Sequence, residues 1–107
     1  MVTQVHTFPD FLKDTRTYKG CIVDFTASWC GPCKVIAPYY EALAQNNPNI
    51  YFMKVDVDEC DDIATAYQVT GMPTFVGIVD GNVVTSFSGA SKEKLDGLVD
   101  VVSRMIA

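Results

Sequence analysis

The chain has 107 residues, 49% of them hydrophobic and 20% charged, with a formal charge of -5. That length predicts one domain spanning residues 1–107 with room for a real core. The acidic balance, without a basic stripe or an aromatic-plus-basic pattern, argues against nucleic acid and anionic membrane as partners, and no apolar run approaches the length of about 20 residues that spans a bilayer. Behind Met1 there is neither a basic n-region nor an apolar h-region, so the expected location is cytoplasmic. In that setting four cysteines read as reactive or incidental rather than as a secreted disulfide framework.

Strand and helix signals then alternate, without repeat, low-complexity segment or linker. Val2 to His6 is a short strand candidate. Thr7 can cap a helix, Pro9 suits its first turn, and Phe8, Phe11 and Leu12 fall on one face. Cys21-Ile22-Val23-Asp24-Phe25 is nearly continuous in apolar character and predicts a strand buried on both faces. Trp29-Cys30-Gly31-Pro32-Cys33 follows at once, and Ile36, Tyr40, Leu43 and Ala44 keep helical spacing to about Asn46, with Pro38 inside the helix as a kink site. Ile50 to Val57 predicts a second buried strand. The acids from Asp56 to Asp62 lead into a short helix carrying Ile63, Ala64 and Tyr67; they lack the offsets of a calcium loop and suit a helix N-terminus. Thr74 to Val79 and Val83 to Ser88 flank Asp80-Gly81-Asn82, a hairpin signal. A final helix carries Leu95, Leu98, Val99, Val102 and Ile106 on one stripe, with Ser91 as its cap. The order βαβαβαββα implies an α/β fold: a central mixed sheet, parallel in its first part and antiparallel at the hairpin, with helices on both faces. Ligand chemistry in such sheets sits at the carboxyl ends of strands, where Trp29 to Cys33 lies.

Cys30 and Cys33 are one helical turn apart at a strand-to-helix junction. Unpaired N–H groups and the macrodipole at a helix N-terminus favour thiolate over thiol, and the second sulfur is near enough to close a disulfide. The same spacing is also half of a common zinc site, but no second Cys or His pair exists, and His6 is the only histidine. The motif therefore points to dithiol/disulfide redox chemistry with no bound metal.

Taken together, Val23-Asp24-Phe25, Trp29-Cys30-Gly31-Pro32-Cys33-Lys34, Pro38, Lys54-Val55-Asp56, Met72-Pro73-Thr74-Phe75 and Gly89 resemble the thioredoxin family over essentially the whole chain. Thr26, Cys60 and the Met-Pro-Thr-Phe run are similar to its cytosolic eukaryotic members. The resemblance implies a thioredoxin fold and a monomeric protein-disulfide reductase with no bound cofactor, re-reduced by a thioredoxin reductase that draws on NADPH. It also implies disulfide-containing protein substrates such as peroxiredoxins or ribonucleotide reductase. Two positions depart from the family pattern. Val79-Asp80-Gly81 stands where many members carry a lysine before the turn, and Gly77 interrupts a strand that is often aromatic.

Within this reading Cys30 is the attacking nucleophile, expected to be exposed, and Cys33 is the resolving thiol, covered by its own helix. Gly31 and Pro32 set the potential; in the resembling family Gly-Pro goes with a reducing protein. Asp24 is costly to bury ionised, so it is expected to hold its proton more tightly than usual and to act as general base toward Cys33; the competing reading has it reaching solvent at the strand end. Lys54 either lies near Asp24 and modulates its proton affinity or snorkels to the surface. Pro73 resembles the family's cis-proline, leaving the Met72 backbone free to pair with an extended substrate, and Trp29, Gly71, Gly89 and Ala90 would complete a shallow groove. Trp29 as plain core is the alternative. Cys21 reads as an inert small hydrophobe and Cys60 as an exposed thiol with its thiolate disfavoured by neighbouring acids.

Overall fold

A computed structural model describes residues 1–107. Its elements run β1 (Val2–Val5), α1 (Phe8–Thr17), β2 (Gly20–Thr26), α2 (Gly31–Asn46), β3 (Tyr51–Asp56), α3 (Asp61–Ala66), β4 (Thr74–Val79), β5 (Asn82–Ser88) and α4 (Lys92–Ile106). The order matches the sequence expectation, with strand ends shifted by a residue or so.

The strands form one sheet in the order β1-β3-β2-β4-β5. β3 pairs parallel with β1 and β2, while β4 runs antiparallel to β2 and to β5. The antiparallel part thus begins at the β2/β4 pairing, one strand earlier than the hairpin signal alone implied. β2 is central, and six of its seven residues are buried, which explains its unbroken apolar character.

Side-chain alternation along β2 splits the core in two. Cys21, Val23 and Phe25 pack toward α1 and α3 with Phe11 and Ile63, whereas Ile22 packs toward α2 and α4 with Ile36, Tyr40, Phe75, Leu95 and Leu98. Tyr40 is buried there because its hydroxyl lies within reach of two backbone carbonyls, those of Ile22 (3.0 Å) and Met53 (2.7 Å). Asp24, two residues on from Ile22, shares the α2 face.

Caps fall where the sequence placed them. Thr7 and Ser91 accept N–H bonds from Asp10 and Lys94. α2 runs through Pro38 as one helix, without the bond that a residue-38 N–H would have made. The hairpin turn is tighter than expected, because Asn82 already belongs to β5 and the turn is Asp80-Gly81, with φ of 52° and 81°. Positive φ at both residues suits the twist of a two-residue hairpin, and glycine meets that demand without strain. Leu12 corrects the face assigned to α1: it is exposed, and Thr15, one turn beyond the fully buried Phe11, takes the inward position with its hydroxyl donating to the Leu12 carbonyl at 3.1 Å.

Gly77 has a packing reason. A Cβ there would lie 2.8 Å from side-chain carbons of both Thr85 and Val102, so its absence lets α4 settle against β4 beside an irregularity in the β4–β5 register.

Candidate active site

Cys30 leaves β2 by a short turn and serves as the N-cap of α2, with extended backbone and its Sγ accepting the Cys33 N–H at 3.2 Å. Gly31 and Pro32 form the exposed first turn. Pro32 suits that position because its missing N–H has no helical partner to lose. Cys30 and Cys33 are joined by a disulfide across a Cα separation of 5.3 Å.

The expectation of an exposed Cys30 needs correction. In this oxidised form Cys30 is 4% exposed and Cys33 2%, and both pack with Ala27 against Val57 and Met72. The two sulfurs therefore differ less in accessibility than in surroundings. Cys33 faces a polar cavity of about 250 Å³ whose lining includes Asp24, Lys54, Lys34, Asp56 and Gln4; Cys30 does not line it.

Asp24 does not reach solvent. It is 4% exposed, and its Oδ1 is buried without a hydrogen-bond partner. Burial pushes its proton affinity up, from 3.8 to about 7, and the Lys54 ammonium opposes part of that rise. Lys54 stands directly across from Asp24 in the β2–β3 register, is half-buried, and makes no direct ion pair with it. The two act on each other through the cavity they share. Gln4, across from Lys54 in the β1–β3 register, extends the same polar row; no sequence signal on β1 marked it apart from its later partner.

On the other side of the disulfide, the Met72–Pro73 peptide bond is cis, an isomer the sequence left open, and Met72 packs against the cysteine cluster. The Gly89 N–H donates to the Pro73 carbonyl at 2.8 Å, which brings Gly89, with φ of 107°, against the same loop. Gly71 lies beside Ser88, and Ala90 is exposed just beyond. Trp29 is not core: it is 67% exposed, and its indole N–H donates to Asp58 Oδ2 at 2.9 Å. Asp58 escaped the sequence reading because it sits in a run of acids where no one carboxylate stands out. No cavity forms against Trp29, Met72 or Ala90, and Pro73 is buried beneath them, so this face is a surface and not the groove expected.

The other two thiols stand apart. Cys21 is fully buried, and burial with Asp14 nearby pushes its thiol up to about 12. Cys60, expected to be exposed, is 2% exposed, with its Sγ 3.7 Å from the Val5 carbonyl. The loop of acids folds over it onto the end of β1. Burial first, then Glu59, raises its thiol, so the thiolate is disfavoured as expected.

A pair of this kind takes up and gives up two electrons as a single S–S bond, at a helix N-terminus and at the carboxyl end of a central strand. Fold and site together define a protein-disulfide oxidoreductase working by dithiol/disulfide exchange. The Thioredoxin family model matches residues 1–103. Thioredoxin of Oryctolagus cuniculus is 44% identical over 102 residues, covering 94% of this chain and 97% of that protein. The solved Plasmodium falciparum thioredoxin superposes with a TM-score of 0.90 at 36% identity, covering 92% of this chain and 97% of that one. A structure concerned with thiol resolution in a yeast mitochondrial peroxiredoxin via glutathione/thioredoxin systems superposes with a TM-score of 0.89 at 35% identity, covering 94% of each chain. The chain belongs to the thioredoxin family, and disulfide-containing proteins are its substrates.

Proposed function

We propose that this protein works as an electron donor, with Cys30 as nucleophile, Cys33 as resolving thiol and Asp24 as the base between them. The observation that carries this reading is the division of surroundings at the disulfide: Cys30 caps the helix, while Cys33 shares a polar cavity with a buried carboxylate whose proton affinity lies near neutrality. In the reduced protein the Cys30 thiolate attacks a substrate disulfide, forming a mixed disulfide and expelling the first substrate thiolate. Asp24 then takes the Cys33 proton, and the cavity has room for a water between them. The Cys33 thiolate attacks the Cys30 sulfur, and the second substrate thiolate leaves. The substrate disulfide has gained two electrons, and the Cys30–Cys33 disulfide is restored.

In this proposal Lys54 holds Asp24 nearer neutrality than burial alone would, and Gly31 and Pro32 keep the pair reducing. The edge formed by Gly71, Met72 and Pro73, with Trp29, Gly89 and Ala90 around it, receives an extended substrate segment. NADPH supplies the electrons indirectly, through a thioredoxin reductase, and the protein acts as a cytoplasmic monomer on substrates of the peroxiredoxin or ribonucleotide reductase kind. A titration against glutathione buffers, read by the fluorescence of Trp29, tests the direction of electron flow. One two-electron transition clearly below the glutathione couple is expected; a potential above it would make the protein an oxidase or isomerase.

A further inference from the structure

We propose that Thr74 and Ser88 are positioning residues whose linked hydroxyls aim the Met72 amide N–H at the backbone of an extended substrate. The inference rests on the proposal that the Gly71–Pro73 edge receives that substrate. Thr74 opens β4, is 8% exposed, and stands opposite Ser88, the exposed last residue of β5. Its Oγ1 lies 2.6 Å from the Gly71 carbonyl oxygen and 2.8 Å from Ser88 Oγ.

Proton counting fixes the direction of both bonds. A hydroxyl has one proton, and a carbonyl can only accept, so the Thr74 hydroxyl donates to Gly71. Ser88 must then donate to Thr74. The chain runs from Ser88 through Thr74 to the Gly71 carbonyl, and each bond polarises the next.

The consequence lies one atom further on. The Gly71 carbonyl and the Met72 N–H belong to one planar peptide unit, which is trans, since the cis bond is the following one. In a trans unit the two groups point in opposite directions. Anchoring the oxygen toward Thr74 therefore turns the N–H away from the sheet. Next along, the Pro73 carbonyl is occupied by the Gly89 N–H. Of Gly71, Met72 and Pro73, only Met72 keeps both an N–H and a C=O free of hydrogen bonds within the protein, while its side chain packs against the cysteine cluster. A donor and an acceptor free on one residue are what an added antiparallel strand pairs with. Without the Thr74 hydroxyl the Gly71 carbonyl loses its hydrogen bond, and the N–H loses the polar anchor that fixes its aim.

The variants are Thr74→Val, which keeps the shape and removes the hydroxyl, Ser88→Ala, and Thr74→Ser as the conservative control. Reduced proteins are assayed with a disulfide-linked extended peptide and with hydroxyethyl disulfide, which has no backbone to pair. Loss of one neutral hydrogen bond predicts a peptide KM raised about five- to tenfold in Thr74→Val and about twofold in Ser88→Ala, with kcat retained. The hydroxyethyl disulfide rate is expected to stay unmoved, and Thr74→Ser to restore the peptide KM. Equal losses with both disulfides, or no loss with either, overturn the proposal. Should Thr74→Val fail to fold, the exposed Ser88→Ala carries the same comparison. Hydrogen exchange at the Met72 amide, in a peptide mixed disulfide trapped with Cys33→Ser, separates the two layers. Protection lost in Thr74→Val supports the relay, and protection unchanged in Thr74→Val overturns the relay alone. Absence of protection without any change at Thr74 or Ser88 overturns the substrate edge, and the relay with it.

Discussion

Replacing Asp24 by asparagine removes a carboxylate that the fold carries at a cost. The group holds its proton up to about pH 7 when folded, against 3.8 for an ordinary aspartate, because burial penalises the charged form. Between those values the folded state binds more protons than the unfolded one, so the contribution of Asp24 to stability is fully present below about pH 4 and declines as pH rises through about 7. At about 1.4 kcal/mol per pKa unit, the roughly three-unit rise sets a ceiling of about 4 kcal/mol of destabilisation at alkaline pH. Asparagine keeps the shape and never ionises, so it stands in for the protonated carboxyl, and the attraction of Lys54 is already contained in the value of about 7. Asp24→Asn is therefore expected to be more stable than the wild type by up to about 4 kcal/mol near pH 8.5 and by only about 1 kcal/mol near pH 4.5. Urea unfolding of the oxidised proteins across that range measures the difference directly, with an unchanged slope confirming that surface exposure has not altered. A difference that stays flat with pH would show that Asp24 does not change its charge in this window, and would remove both the destabilisation and the case for Asp24 as a base tuned to neutrality.

Three further outcomes follow from the same geometry. Cys33→Ser is expected to attack a substrate disulfide once and stall as a mixed disulfide visible by mass, while Cys30→Ser shows no exchange; equal activity of the two would reverse or abolish the assigned roles. Lys54→Met removes the charge that opposes the burial of Asp24, so the pH midpoint of mixed-disulfide resolution should move upward, and stopped-flow rates that leave it in place would detach Lys54 from the site. Gly77→Val pushes side-chain carbon into Thr85 and Val102 and should cost about 1 to 3 kcal/mol in urea unfolding, with the redox potential unmoved because the contact is remote from the disulfide.

The elements and the redox pair were legible because each rests on a local rule. Thr7 and Ser91 were recognisable as caps from their position alone, and the apolar run of β2 announced a central strand. What failed depended on partners distant in sequence. Cys60 sits among acids, and local composition reads as exposed, but its burial comes from the end of β1, 55 residues away. Leu12 and Thr15 differ by less than a turn, and only the packing of α1 on the sheet decides which faces inward. Trp29 carried a strong local signal, yet its anchor, Asp58, was one carboxylate in a run of several. The burial of Cys30 has the same kind of cause, since Val57 and Met72, which pack against its cluster, come from segments far along the chain.

The position of Asp24 shows how little is needed to build such a site. β2 must be apolar to be central, and its two-residue period sends alternate side chains to opposite layers. Ile22 and Asp24 therefore face α2, and Cys33, in the first turn of that helix, meets the same cavity. Shifting the carboxylate by one position, to Val23 or Phe25, would place it in the other core, among Phe11, Met53 and Ile63, with the sheet between it and the sulfur. Parallel pairing then adds Lys54 from β3 and Gln4 from β1 in the same row. Thr26 and Asp56, paired two residues further along, add a second polar row, and Lys34 of α2 completes the polar cavity behind the disulfide. The earlier part of β2 and β3 remains free to be core, so the chemistry interrupts the fold only at the carboxyl ends of these strands.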